Sequence, residues 1–267
     1  DRSDAVFLAQ VSGKAGRLDL AKFQSDTGQV GSGAPTVTGD PGVMPVQDRS
    51  RLAALSGGLE EVRAIRSGPD GSVYVLGEAT ATVEGQALKG SRDVVLQKYD
   101  SAGKVVFTRT LGAAGEANAR DVAIAPDGRI AVVGSVTGAL EAGKAGADPA
   151  KSDSFITLFD AQGGELWTDR RGARAEDEAT SVAFGDDGSI YITGRTRSAM
   201  AGAGSLGGWD GYLQTYSATG ASLGAQQFGT GGDDAGARIA ADGPRLVVAG
   251  TDNGRAVLRS YDLTDPT

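Results

Sequence analysis

A turn followed by a short β run ending in glycine occurs four times along this 267-residue chain. It reads Pro69-Asp70-Gly71-Ser72-Val73-Tyr74-Val75-Leu76-Gly77, then Pro126-Asp127-Gly128-Arg129-Ile130-Ala131-Val132-Val133-Gly134. The third copy is Asp186-Asp187-Gly188-Ser189-Ile190-Tyr191-Ile192-Thr193-Gly194, and the fourth Ala241-Asp242-Gly243-Pro244-Arg245-Leu246-Val247-Val248-Ala249-Gly250. The turn glycines are spaced by 57, 60 and 55 residues. A near-fixed period of this size, built from short β runs, marks an array in which each repeat is one supersecondary unit.

A second marker keeps the same clock. Asp93-Val94-Val95-Leu96-Gln97-Lys98-Tyr99-Asp100 matches Asp153 to Asp160, Asp210 to Ser217 and Arg255 to Asp262, and Asp4 to Val11 has a similar shape. Large or β-branched residues fill the positions that a half-buried strand buries, and a polar turn follows. A third strand, Lys104 to Arg109, is echoed by Glu165 to Arg170. A fourth, less regular run precedes each Asp-Gly turn, at Asp121 to Ala125, Ser181 to Phe184 and Ala237 to Ala240. One unit is therefore four short strands joined by tight turns. A helix over Leu59 to Ile65 or Gly115 to Arg120 is disfavoured, because both segments fall at the same place in successive β units and context overrides local propensity.

One four-stranded sheet cannot bury both faces by itself, so neighbouring units must stack. Radial stacking of such sheets is a β-propeller, whereas linear solenoids use shorter coils. The expected fold class is all-β, a β-propeller or propeller arc of about four repeated four-stranded blades, with residues 1–267 as one array.

These residues resemble the bacterial SBBP-type β-propeller repeat. The pattern runs D-x-[FV]-[VIL]-x-[KL]-[YF]-D, then G-x-L-W-T, D-x-A-x-x-V-A and D-G-x-[VI]-Y-[VI]-x-G. The unit from Asp153 to Gly194 fits best, with Trp167, Asp177-Glu178-Ala179 and Tyr191 in place. Phe107 and Gly224 stand where Trp is typical, and the first unit keeps only its ends. The resemblance covers most of the chain from about Leu59 onward. It implies a large extracytoplasmic or surface-associated bacterial protein, and similar repeats occur in a flagellar regulatory group. It implies no single activity and carries over no catalytic residue.

The chain starts and ends on the same strand type, giving four units plus one strand, whereas propellers close with ~4–8 blades. An arc cut from a longer chain, a four-bladed ring and a piece completed by another copy are all compatible; the start at Asp1 favours the arc. The spacing from Asp4 to Asp93 exceeds the period, and the excess falls in residues 24–54. That segment, with Gly31-Ser32-Gly33-Ala34-Pro35 and Gly39-Asp40-Pro41-Gly42, is expected to be an inserted surface loop or hairpin. Thr137 to Ser152 is a smaller Ala- and Gly-rich excursion. A partner surface would fall on such connections.

The formal charge of −8 argues against non-specific nucleic-acid binding, which needs a basic face. No run approaches the ~18 apolar residues of a membrane span, and no signal-type segment opens the chain. There is neither cysteine nor histidine, so no Ser-His-Asp or Cys-His relay, thiolate chemistry or ordinary zinc site can be built. No cofactor or metal is expected. Asp186-Asp187-Gly188 lacks the series of oxygen ligands a calcium loop needs and reads as a hairpin turn. Gly202 to Gly207 spaces its glycines suggestively but leads into a strand, so it is no phosphate loop. Asp160 to Trp167 keeps the Gly and Trp of a sialidase Asp-box without its Ser, central Asp or Thr.

What survives chemically is a pair of carboxylates, as glycosidases use. Asp177 with Glu178, or Asp233 with Asp234, are the candidates, yet their matching positions in successive units suggest repeat turns. The primary expectation is a non-catalytic protein-interaction or structural module of a larger bacterial surface or flagellum-associated assembly, located outside the cell or at its surface. It would bind a protein or glycan partner, with self-assembly a further option, and with no catalytic, cofactor or metal residue. The alternative is a carbohydrate-active propeller enzyme with paired carboxylates.

Overall fold

The computed structural model describes residues 6–12, 17–23, 58–138, 151–171, 176–200 and 204–264. The chain divides into two compact units, Asp1–Arg49 and Ser50–Thr267. In the first, β1 (Val6–Ser12) pairs antiparallel with β2 (Arg17–Phe23), Val6 opposite Phe23 and Ser12 opposite Arg17. The segment expected as an inserted loop, 24–54, lies outside the described residues, as does 139–150 of the smaller excursion.

The second unit is a series of antiparallel blades. Blade 1 holds β3 (Glu61–Ser67), β4 (Val73–Ala79), β5 (Asp93–Tyr99) and β6 (Val105–Leu111). Blade 2 holds β7 (Ala117–Ile124), β8 (Ile130–Val136), β9 (Asp153–Phe159) and β10 (Glu165–Arg171). Blade 3 holds β11 (Asp177–Phe184), β12 (Ile190–Thr196), β13 (Asp210–Tyr216) and β14 (Ser222–Phe228). Blade 4 has three described strands, β15 (Asp234–Asp242), β16 (Arg245–Asp252) and β17 (Arg255–Asp262). The expected fold class holds: the chain is all-β, with propeller-type blades and no helix among the described residues. Both segments with tempting helical composition run into strand rather than helix, 61–65 in β3 and 117–120 at the start of β7.

The first strand of each blade packs on its predecessor: β7 lies across β3, β4 and β5, β11 across β7, β8 and β9, and β15 across β11, β12 and β13. Each junction repeats two contacts. The amide at the head of the first strand donates to the carbonyl just before the previous blade's third strand: Ala117 to Arg92, Asp177 to Ser152 and Asp234 to Trp209, at 2.7–2.8 Å. Leu96 shares a core with Val122, Ile156 with Val182 and Leu213 with Ile239. Burial of large aliphatic side chains at ~25 cal/mol per Å² is what these junctions contribute to stability.

The repeated glycine that ends each β run now has a cause. Every first strand carries a bulge, between Val62 and Ala64, Ala119 and Asp121, Ala179 and Ser181, and Gly236 and Arg238. Opposite it stand Gly77, Gly134, Gly194 and Gly250. A side chain at any of the four would overlap the carbonyl oxygen just before the bulge, of Glu61, Asn118, Glu178 or Ala235. A bulge inserts one residue and interrupts strict alternation, which is why the run before each Asp-Gly turn is irregular in sequence.

Candidate functional site

Most repeated acids hold the backbone. Asp70, Asp127 and Asp187 each accept the amide two residues on, from Ser72, Arg129 and Ser189 at 2.9–3.1 Å, while the next glycine takes positive φ. The expected turn reading of Asp186-Asp187-Gly188 is what forms, with Gly188 at φ 81°. Hydrogen bonds from Ser72, aided by Lys98, hold the Asp70 carboxyl well below the usual range, and the Arg129 amide lowers Asp127. Asp100 and Asp160 each accept two amides in the turn between third and fourth strands. Trp167, expected as a blade aromatic, is half-buried on β10; its Nε1 donates to Ala218 O at 3.2 Å and its ring faces the turn at Gly220.

In each of the two carboxylate pairs singled out in the sequence, the two acids meet different surroundings. Asp177 and Glu178 also do not sit in a turn, as their repetition suggested, but open β11. Neighbouring strand residues point to opposite faces. Glu178 receives Nε and Nη2 of Arg195, both at 3.1 Å, whereas Asp177 is fully buried. Asp233 accepts the Trp209 amide at 2.9 Å, and Asp234, opening β15, accepts the Thr230 and Asn253 amides.

A different set of polar side chains converges between blades 2 and 3. An open cavity of about 370 Å³ is lined by Asp169, Arg170 and Arg171 of β10, Asp177 of β11, and Gln214 and Tyr216 of β13, among others. Tyr216 donates its hydroxyl to Asp169 at 2.8 Å, and the Arg171 guanidinium lies over the Tyr212 ring at 5.2 Å. Arg170 pairs with buried Asp153 at 2.5 Å. Burial pushes the Asp177 carboxyl up, against the opposing effects of Thr196 and Arg171. Burial, then the Asp169 carboxylate, raise the Tyr216 hydroxyl. Carboxylates, guanidinium groups and a phenol in one cleft can hydrogen-bond a small polar ligand such as a sugar.

Sequence reasoning missed Asp169 and Arg171. The signal was a break in the repeat: the matching register positions are Arg109 and Gln226 for Asp169, and Leu111 and Phe228 for Arg171.

Blades 1 to 3 also carry an exposed aliphatic side chain at one register position. Val106, Leu166 and Leu223 are the extra residues of the fourth-strand bulges, and each is more than half exposed. Among the described residues, no group of three or more acidic side chains could hold a metal ion.

No protein-family model matches the chain. Three solved structures share partial likeness. Polysaccharide lyase Uly1 aligns with 74% of this chain and 46% of its own, at 11% identity and a TM-score of 0.45. Hydrazine synthase of Kuenenia stuttgartiensis aligns over 74% and 58%, at 13% identity and a TM-score of 0.47. Sqt1 of Chaetomium thermophilum aligns over 76% and 53%, at 16% identity and a TM-score of 0.41. In sequence, the chain is 39% identical over 249 residues to the regulatory protein FlaEY of Caulobacter vibrioides, an alignment covering 86% of this chain. The chain spans about a quarter of that relative's length, 26%.

Proposed function

We propose that this chain is a non-catalytic interaction or structural module, a run of SBBP-type blades within a larger regulatory protein of a bacterial surface or flagellum-associated assembly. The observation that supports it best is the use to which the carboxylates are put. Those the sequence offered for catalysis cap backbone amides, pair with arginine or lie buried, while each of three blades presents an exposed aliphatic residue on its outer strand. The relative's name, a regulatory protein, fits a module that works by binding. The partner in this reading is a protein or glycan outside the cell or at its surface.

The test is removal of the segment encoding residues 58–264 in frame from a bacterium that carries it, followed by fractionation and electron microscopy of the flagella. Loss or misassembly of surface structures is the expected result. Normal assembly, with the protein found only in the soluble cytoplasmic fraction, would overturn the reading.

One observation favours the second reading, a carbohydrate-active enzyme: Asp169 and Asp177 line the same cavity. That reading requires release of reducing ends from bacterial glycans, abolished by Asp177→Asn; with no release from the parent protein it fails.

A further inference from the structure

Each first-strand bulge inserts one extra residue: Arg63 in β3, Arg120 in β7, Thr180 in β11 and Ala237 in β15. All four line one cavity of about 540 Å³, which draws on blades 1 to 4. A bulge re-aims the side chain it adds, and here it does so at the same place in successive blades. Blades 1 and 2 contribute long basic side chains. Blades 3 and 4 contribute only Thr180 and Ala237, small side chains that leave room beside the arginines.

Charge on the cavity wall is lopsided. Among the described residues, Arg63, Arg120, Arg195 and Arg238 line it against a single carboxylate, Glu178, in a chain whose formal charge is −8. Two of these arginines are neutralised in place. Arg63 donates Nε and Nη2 to Glu78 at 3.0 and 3.2 Å and pairs through Nη1 with Glu61 at 2.7 Å. Arg195 donates twice to Glu178, both at 3.1 Å. The other two are not. Half-buried Arg120 has no hydrogen bond or ion pair among the described residues. Arg238 donates Nη1 to the neighbouring Ala237 carbonyl at 2.9 Å and meets no carboxylate among them. Two uncompensated guanidinium groups on the wall of one cavity focus a positive potential into it.

We propose that this cavity binds a phosphoryl group, held by Arg120 of blade 2 and Arg238 of blade 4. A guanidinium fork pairs with two oxygens of an anion. A carboxylate has enough oxygens for one fork and a single charge. A phosphoryl group offers three acceptor oxygens and about two charges, so it can answer both arginines. Arg63 and Arg195, already occupied by Glu78 and Glu178, form the surrounding wall. Free orthophosphate and the terminus of a sugar phosphate present the same oxygens to this site. The site goes beyond the interaction-module reading and does not depend on it.

Equilibrium dialysis of the full chain against radiolabelled orthophosphate, at fixed chloride, tests it. The parent protein is expected to bind with a dissociation constant below about 1 mM. Arg120→Gln and Arg238→Gln each raise that constant at least about tenfold, or ~1.4 kcal/mol. Ala237→Leu keeps every charge but fills the room beside the arginines, and is expected to weaken binding as well. Arg129→Gln, at a turn arginine paired with Asp127, leaves it unchanged. Circular dichroism matching the parent separates loss of binding from loss of fold. If Arg120→Gln does not fold, Arg238→Gln and Ala237→Leu decide the matter. Displacement of the label by glucose 6-phosphate assigns the group to a sugar phosphate, and its retention assigns it to the free ion; both support the site. No binding by the parent protein below about 10 mM, or binding that both arginine variants retain, would overturn the proposal. The flagellar phenotype is read separately, so either result leaves the module reading where it stands.

Discussion

Replacing Gly194 by alanine tests whether the glycine clock is imposed by the first-strand bulge. In β12, Gly194 stands opposite Ala179, where β11 bulges. A methyl there would overlap Glu178 O and stand 2.8 Å from Tyr212 Cε1. Relief requires β11 to back away, yet that strand is pinned on its far side. The Asp177 amide donates to Ser152 O at 2.8 Å, Ser181 Oγ to Asp121 at 2.6 Å and Thr180 Oγ1 to Gly236 O at 2.7 Å. Overpacking ordinarily costs about 1–3 kcal/mol, more when the surroundings cannot yield, so at least ~3 kcal/mol is expected here. For a domain of this size that lowers the thermal midpoint by roughly 6–12 °C. Trp167 and Trp209, in blades 2 and 3, report the unfolding by fluorescence. Gly224→Ala is the control: a methyl added at that β14 glycine would meet nothing within 4 Å, and its φ is not positive. It should be neutral or stabilise by up to ~1 kcal/mol through the unfolded chain. A cost below about 1 kcal/mol for Gly194→Ala, or one equal to the control, would refute the steric argument.

Asp177→Asn should flatten the pH dependence of stability. The folded carboxyl titrates above its unfolded value, so its contribution is full below the ordinary carboxylate range and lost as pH rises through the raised pKa. Urea midpoints across pH 3 to 8 should fall less with pH in the variant, and a steeper fall would contradict the assignment. Asp121→Ala removes a carboxylate that joins three blades, accepting from Ser181 at 2.6 Å and pairing with Arg66 at 2.5 Å; denaturation should show a loss of about 2–3 kcal/mol. Trp167→Phe should cost little, ~1 kcal/mol or less, because blade 1 fills the matching place with Phe107, against about 2–3 kcal/mol for Trp167→Ala by calorimetry. Leu166→Ser and Leu223→Ser should leave the midpoint within about 0.5 kcal/mol, as exposed bulge residues do.

The blades are legible in the sequence because their signals are local and fourfold. The apolar run at Val73 to Leu76 and the positive-φ glycine of each Asp-Gly turn recur in register, so a weak signal in one unit is confirmed by the next. The first strands are harder. The bulge at Arg120 or Thr180 breaks alternation, so the pattern places these strands from Asp121 and Ser181 although they start at Ala117 and Asp177. That shift turns Asp177 and Glu178 into apparent turn residues. The cavity between blades 2 and 3 is not legible, because it depends on which face of β10 meets β13. The substitution of Leu111 by Arg171 at a matching position marks it only once the register is known.

Strand β17 is the last described strand of its sheet. Along it stand Arg255, Arg259 and Asp262, with Arg259 drawn across to Asp252 at 2.6 Å and over the Phe228 ring at 4.1 Å. Arg259 thus ties the third strand of blade 4 both to its neighbour β16 and to β14 of blade 3, so the two blades share one side chain at their junction.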